Sequence, residues 1–431
     1  MNAEYNPFNP NGIVPSNLFA GRAKYCLSIL KKLLETKNGR PSSFFLYGER
    51  GIGKSALARL LGDVASSADK ELYELKFLVS YYPVEPGQSL HSVIESSLNN
   101  LTDSMPASWL TKMGERLGHL FKNGKFSIGA FGASASLEPT EGGGEPKIAA
   151  VRDQAISILV NVLNTLKEAE EKRDGILIII DEMQNLTDMN LAASMLRGIL
   201  SSLEFKNLGH VSFLLLGLDQ AFDAFMSGDI SARRNFDPIR LDVMPPEEAV
   251  QVLTKGFEKV RLRWEEGALK SNIHVTGGYP HSIQVVGHHL VSADNDGFID
   301  QADWNSAIRL TANELREKDF SEMCSFGGKL TGHEKILNVL ALLGPMPRKD
   351  LATKCREAYA MNNTYQYLSA LEKRGAIRIL PDGTTELHSH LFRSALLSSL
   401  LPTLDPNSHL GLMWAGLLKK ASASPNMENP K

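Results

Sequence analysis

One octapeptide constrains this chain more than any other feature. Gly48-Glu49-Arg50-Gly51-Ile52-Gly53-Lys54-Ser55 satisfies the pattern GxxxxGK[ST] without a mismatch. Ser43-Phe44-Phe45-Leu46-Tyr47 reads as a short strand before it, and the spacing from Lys54 to about Ala68 predicts a helix after it. A glycine-rich loop between strand and helix is a phosphate cradle. The glycines let the backbone curl until its N–H groups face phosphate oxygens. The helix N-terminus adds partial positive charge. Lys54 is the side chain that reaches the β and γ phosphates, and Ser55 offers its hydroxyl to Mg²⁺. The candidate contact set runs from Gly48 to Ser55 and on to Ala56, with Glu49 and Arg50 included by position and given no separate role. The implied cofactors are ATP and Mg²⁺.

A second element answers the first. Ile176-Leu177-Ile178-Ile179-Ile180 is apolar on both faces, as strands of a parallel sheet are, and ends in Asp181-Glu182. Ligands in such sheets bind at the carboxyl ends of strands. Asp181 is the candidate metal-holding carboxylate, and Glu182 the candidate base that polarises water. The alternative reading of both is a polar strand end capping the next helix. Further strand candidates are Leu75–Tyr82, Val211–Leu216 and Pro238–Val243. Their alternation with helical stretches predicts an α/β fold around a parallel sheet. Residues 105–150 break the rhythm and read as an insertion. Within it, 126–137 is expected to form a hairpin, before a long helix from Ile148 to Lys172.

Beyond the core, 18–245, strands are expected to vanish. Helices near 246–258, 280–293 and 302–317 suggest an all-α lid over 246–330. Residues 331–401 change character again: helices at Glu334–Leu343, Arg348–Tyr359 and Asn363–Arg374, then a hairpin, Ile377–Leu380 and Thr384–His388, around Pro381-Asp382-Gly383. Residues 1–17 read as an extended arm. Residues 402–431 read as a short helix and tail. Three cysteines without a CxxC pair argue against a disulfide framework. No run approaches the roughly 18 apolar residues of a membrane span, and the first residues lack the pattern of a signal peptide. The expected location is cytoplasmic, with no membrane partner. The formal charge of −3 hides an asymmetry: nine Lys/Arg against six Asp/Glu give residues 331–401 a charge of +3.

Taken together, these motifs resemble the AAA+ and STAND branch of P-loop ATPases over roughly residues 12–400. Asn17-Leu18-Phe19-Ala20-Gly21-Arg22 is similar to the element ahead of the first helix in that group, which implies that Phe19 and Arg22 border the adenine pocket. Asp181-Glu182 matches its acidic pair. Val211–Gly217 holds the place of the strand that offers a polar residue to the γ phosphate. Here no Asn or Thr follows; Ser212 comes too early, and Asp219 and Gln220 are weak substitutes. Arg233 and Arg234 stand where relatives place an arginine finger that reaches a neighbouring subunit. The rival reading is a solvated basic helix end. Thr276-Gly277-Gly278-Tyr279-Pro280-His281 resembles the group's GGxP element, which implies that Tyr279 or Pro280 touches adenine.

Tyr367–Ile377 is similar to the ending of a winged-helix recognition helix. If the module binds duplex DNA, the third helix would enter the major groove and its polar face would offer Asn363, Tyr365, Gln366 and Lys373, with Asn and Gln able to pair with adenine; Arg378, with Arg348, Lys349 and Arg374, would face phosphates. Two readings follow from the resemblance. One is an ATPase switch acting on DNA, oligomeric when it binds ATP and served by a separately encoded protein partner. The other is a STAND-type signalling ATPase whose winged helix holds it shut.

Overall fold

The computed structural model describes residues 5–66, 74–128, 148–170, 172–320 and 331–423. The chain divides into two compact units, one spanning Pro15–Asp242 and the other joining the residues up to Val14 with those from Val243 onward.

The Pro15–Asp242 unit is α/β. Its elements run α1 (Ala23–Lys37), β1 (Ser43–Tyr47), α2 (Lys54–Ala65), β2 (Phe77–Pro83), α3 (Leu90–Thr102), α4 (Ala107–Leu117), β3 (Phe121–Lys122), β4 (Lys125–Phe126), α5 (Ile148–Glu168), β5 (Gly175–Asp181), α6 (Met189–Phe205), β6 (Val211–Gly217), α7 (Asp219–Gly228) and β7 (Phe236–Arg240). Five strands form one sheet in the order β2-β5-β6-β1-β7, every pairing parallel. All seven residues of β5 and all seven of β6 are buried. That is why both read as unbroken apolar runs.

The hairpin expected at 126–137 is described only as far as Ile128, and another hairpin lies just before it. The structure pairs Phe121 with Phe126 and Lys122 with Lys125 across Asn123-Gly124. Both turn residues have positive φ, 53° and 78°, the two-residue turn that Asn-Gly favours. Residues 129–137 lie outside the described residues.

In the other unit the lid contains α8 (Pro246–Lys259), α9 (Glu266–Asn272), α10 (Pro280–Ala293) and α11 (Gln301–Asp319). It is not strand-free as expected: β8 (Arg263–Trp264) and β9 (Phe298–Ile299) pair in parallel. The described part of the arm is anchored within this unit at Asn6, Phe8 and Asn9. Phe8 is buried beside Phe257 and lies against Gly256 and Gly287, where a Cβ would overlap its ring. Asn6 Nδ2 donates to the His288 carbonyl at 3.0 Å, and the Asn9 N–H donates to Gln284 Oε1 at 3.1 Å.

There follow α12 (Gly332–Leu343), begun by a capping box between Thr331 and Glu334, α13 (Arg348–Tyr359) and α14 (Thr364–Lys373). Strands β10 (Met346–Pro347), β11 (Ile377–Ile379) and β12 (Thr384–Leu387) form an antiparallel sheet with β12 in the middle. Then come α15 (His390–Leu400) and α16 (His409–Ala423). Leu337, Leu340, Leu351, Leu371, Ile377 and Phe392 share one core.

Candidate functional site

Because the five strands are parallel, their carboxyl ends share one edge of the sheet. The octapeptide leaves β1 at that edge. Gly48, Gly51 and Gly53 have φ of 144°, 81° and 95°, a region open to glycine and costly for other residues. A Cβ on Gly48 would also lie 2.7 Å from the Leu241 carbonyl oxygen. The loop ends at Lys54, the first residue of α2, so its amides and the helix N-terminus converge.

Lys54 is mostly buried. Its Nζ donates to the carbonyls of Gly48 at 3.0 Å and Glu49 at 2.9 Å. Burial holds its pKa below the ordinary lysine value, against an upward pull from Asp181, Glu182 and Asp219. Asp181, Glu182 and Asp219 stand at or just past the ends of β5 and β6, on the same edge of the sheet as the loop.

Asp181 closes β5 and is 2 % exposed. Its Oδ1 accepts the Glu182 N–H at 2.7 Å, and its Oδ2 accepts the Tyr81 hydroxyl at 2.7 Å. Tyr81 lies near the end of β2; burial and then the Asp181 charge push its phenol well above the ordinary value, so it stays protonated. Ser55 and Asp181 offer a hydroxyl and a carboxylate. Such hard oxygen donors suit Mg²⁺, which takes one or two protein ligands and fills its shell with phosphate oxygens and water.

Glu182 is exposed and sits at φ 57°, a left-handed conformation that costs a glutamate energy and turns its carboxylate off the strand axis. Gln184 Nε2 donates to Glu182 Oε2, while Gln184 Oε1 accepts the Leu218 N–H at 3.3 Å, just past β6. At the end of β7, Arg240 pairs with Asp219 at 3.2 Å and Asp242 at 3.6 Å.

Of the other sequence candidates, Phe19 follows the short 3-10 turn Ser16–Leu18 and is half-buried. Arg22 is buried and donates from Nη2 to the Ile52 carbonyl at 3.2 Å, bracing the phosphate loop. Arg233 and Arg234 are exposed in a 3-10 turn that precedes β7. They therefore lie at the amino edge of the sheet, opposite Lys54, and the structure does not bring them to this loop. Ser212 is buried at the start of β6 and Gln220 is exposed, so neither supplies the missing polar group. Pro280 is the first residue of α10, and Tyr279 is buried. Asn363, Tyr365, Gln366 and Lys373 are exposed on or beside α14; Arg378 on β11 is exposed and pairs with Glu386 at 3.1 Å.

Sequence reading missed Tyr81, Gln184 and Arg240. Each ends, or follows, a strand at the carboxyl edge, and that position was the available signal.

A phosphate loop after β1, with a carboxylate pair at the end of β5 in a parallel sheet, defines a P-loop ATPase. Residues 19–214 match the family model described as AAA ATPase domain, so this segment is an ATPase domain of the AAA class. No curated protein matches the chain. Several solved structures are similar over most of its length. The Walker-type ATPase PABY2304 of Pyrococcus abyssi is 16 % identical, covering 88 % of this chain and 96 % of its own, at a TM-score of 0.45. The ORC2 protein of Aeropyrum pernix, solved in ADPNP–ADP complexes, is 18 % identical, with 92 % and 98 % covered and a TM-score of 0.46. CDC6P of Pyrobaculum aerophilum is 14 % identical, with 92 % and 97 % covered and a TM-score of 0.45. No helix among the described residues is long and apolar enough to cross a membrane.

Proposed function

We propose that the chain is a Mg²⁺-dependent, ATP-hydrolysing switch that acts on duplex DNA through residues 331–401, read as a winged helix. The observation that carries the ATPase reading is geometric: the phosphate loop after β1 and the Asp181–Glu182 pair at the end of β5 stand along one edge of the same parallel sheet. Lys54 would exchange the Gly48 and Glu49 carbonyls for phosphate oxygens. The loop amides would hold the remaining oxygens. Ser55 and Asp181 would hold Mg²⁺, which would neutralise charge on the β and γ phosphates. Glu182, released by Gln184, would take a proton from the attacking water. With both arginines at the far edge of the sheet, Arg233 or Arg234 would serve only a second copy of the chain, so the reading includes a homo-oligomer. Phe19 and Arg22 remain the proposed neighbours of adenine.

The DNA reading draws on the exposed polar face of α14. Against it stand Glu372 on that face and the Arg378–Glu386 pair. A second reading, a STAND-type signalling ATPase with a protein partner, draws on another contact. Ser394 Oγ of α15 donates to the Thr276 carbonyl, so the module is fastened to the glycine turn of the lid. The deciding measurement is ATPase rate with and without duplex DNA over a salt series. DNA stimulation that weakens with salt supports the first reading; its absence leaves the second.

A further inference from the structure

Asp181, one of the two side chains proposed to hold the metal, is itself held from a neighbouring strand. Tyr81 stands on β2 in register with Ile179 of β5, two residues before Asp181. Its hydroxyl donates to Asp181 Oδ2 at 2.7 Å. A phenol has one proton, and here the carboxylate receives it. Asp181 Oδ1 already accepts the Glu182 N–H at 2.7 Å, so the carboxylate is held at both oxygens and keeps a lone pair on each.

We propose that Tyr81 is a positioning residue of the metal site, orienting Asp181 as an oxygen acceptor for a divalent cation bound to a nucleoside triphosphate. The proposal rests on the reading of this loop as a Mg²⁺–ATP site. It makes Tyr81 a residue that acts through Asp181.

The test is Tyr81→Phe in the full chain, which keeps the ring and removes the hydroxyl that donates to Asp181. A fluorescent ATP analogue is titrated at fixed concentration with MgCl₂, and separately in EDTA. A hydrogen bond to a charged group is worth about 1.5–3 kcal/mol, so the half-saturating Mg²⁺ concentration should rise at least about 10-fold. Affinity in EDTA and the melting temperature without nucleotide should stay as in wild type. Combining Tyr81→Phe with Asp181→Ala should be no worse than Asp181→Ala alone, because Tyr81 acts through that carboxylate. An unchanged or lower Mg²⁺ requirement, or an equal loss of affinity in EDTA, overturns the proposal. If wild type itself shows no Mg²⁺-dependent nucleotide binding, the ATP-site reading falls as well. Normal Mg²⁺ dependence in both wild type and variant removes only the role of Tyr81.

Discussion

Arg22 Nη2 donates to the Ile52 carbonyl at 3.2 Å, tying the residue ahead of α1 to the middle of the phosphate loop. Arg22 itself holds a left-handed conformation at φ 63° and is 3 % exposed. A buried guanidinium in a strained backbone fixes its neighbour only because the surrounding core fixes it in turn. Arg22→Met keeps much of the stem and removes the donor. We expect ATP affinity to fall about 10-fold, the scale of one charge-assisted hydrogen bond. Isothermal titration with ATP and Mg²⁺ measures it; an affinity within twofold of wild type would show that the loop stands unaided.

Lys54 yields a pH prediction whose sign follows from burial. Its folded pKa lies below the ordinary lysine value. Between the two values the folded state binds fewer protons than the unfolded chain, so without nucleotide stability rises with pH across that window. Phosphate reverses the preference, because it attracts the ammonium. ATP affinity should therefore decline as pH climbs through the lowered pKa, earlier than a solvent-exposed lysine would allow. Lys54→Arg, whose guanidinium stays charged, should show a flatter profile. Parallel profiles for the two proteins would contradict the assignment.

Glu182 and Gln184 form a testable pair. Glu182→Gln should bind ATP normally and hydrolyse it about 10²–10⁴-fold more slowly, the usual worth of a general base. Gln184→Ala removes the amide that holds the carboxylate and links it to Leu218. Single-turnover hydrolysis separates this from nucleotide binding. The rate constant should change while Kd stays put. Full turnover in Glu182→Gln would remove Glu182 from the mechanism.

How far the sequence carries can be judged from particular residues. Phosphate loop, sheet and lid helices announce themselves through local pattern: fixed glycine spacing, apolar runs in β5 and β6, and helical periodicity. Asn123-Gly124 was equally local and still went unread, because the flanking strands are two residues each. Tyr81, Gln184 and Arg240 are different. Nothing near Tyr81 in sequence signals Asp181, one hundred residues away; the parallel register of β2 on β5 creates their contact. Phe8 likewise read only as part of an extended arm, since its partners lie more than two hundred residues on.

Phe8 should matter for the lid. The ring is 4 % exposed and packs edge-on to Phe257, with centroids 5.9 Å apart. Phe8→Ala leaves a cavity beside Gly256 and Gly287, and core phenylalanine truncations cost about 3–5 kcal/mol. Thermal unfolding should shift down by several degrees. Gly287→Val, which fills the same space from the other side, should also destabilise. A melting curve unmoved by Phe8→Ala would mean the arm is held by its polar contacts alone.

The DNA reading makes an uneven prediction across two cations. Lys373 is exposed at the last turn of α14, with no ion pair found for it among the described residues. Arg378 is held by Glu386 at 3.1 Å. Each phosphate contact adds about one to the slope of log affinity against log salt. Lys373→Ala should then lower the slope by about one. Arg378→Ala should change it little, because Glu386 already neutralises that guanidinium. Glu386→Gln frees Arg378 and should steepen the slope, turning a pair that opposes DNA into a contact that favours it. Filter binding or anisotropy with a short duplex at four salt concentrations gives all three slopes. If none of the three variants moves the slope, α14 and the β11–β12 hairpin do not face DNA, and the lid contact through Ser394 becomes the better guide to what this module does.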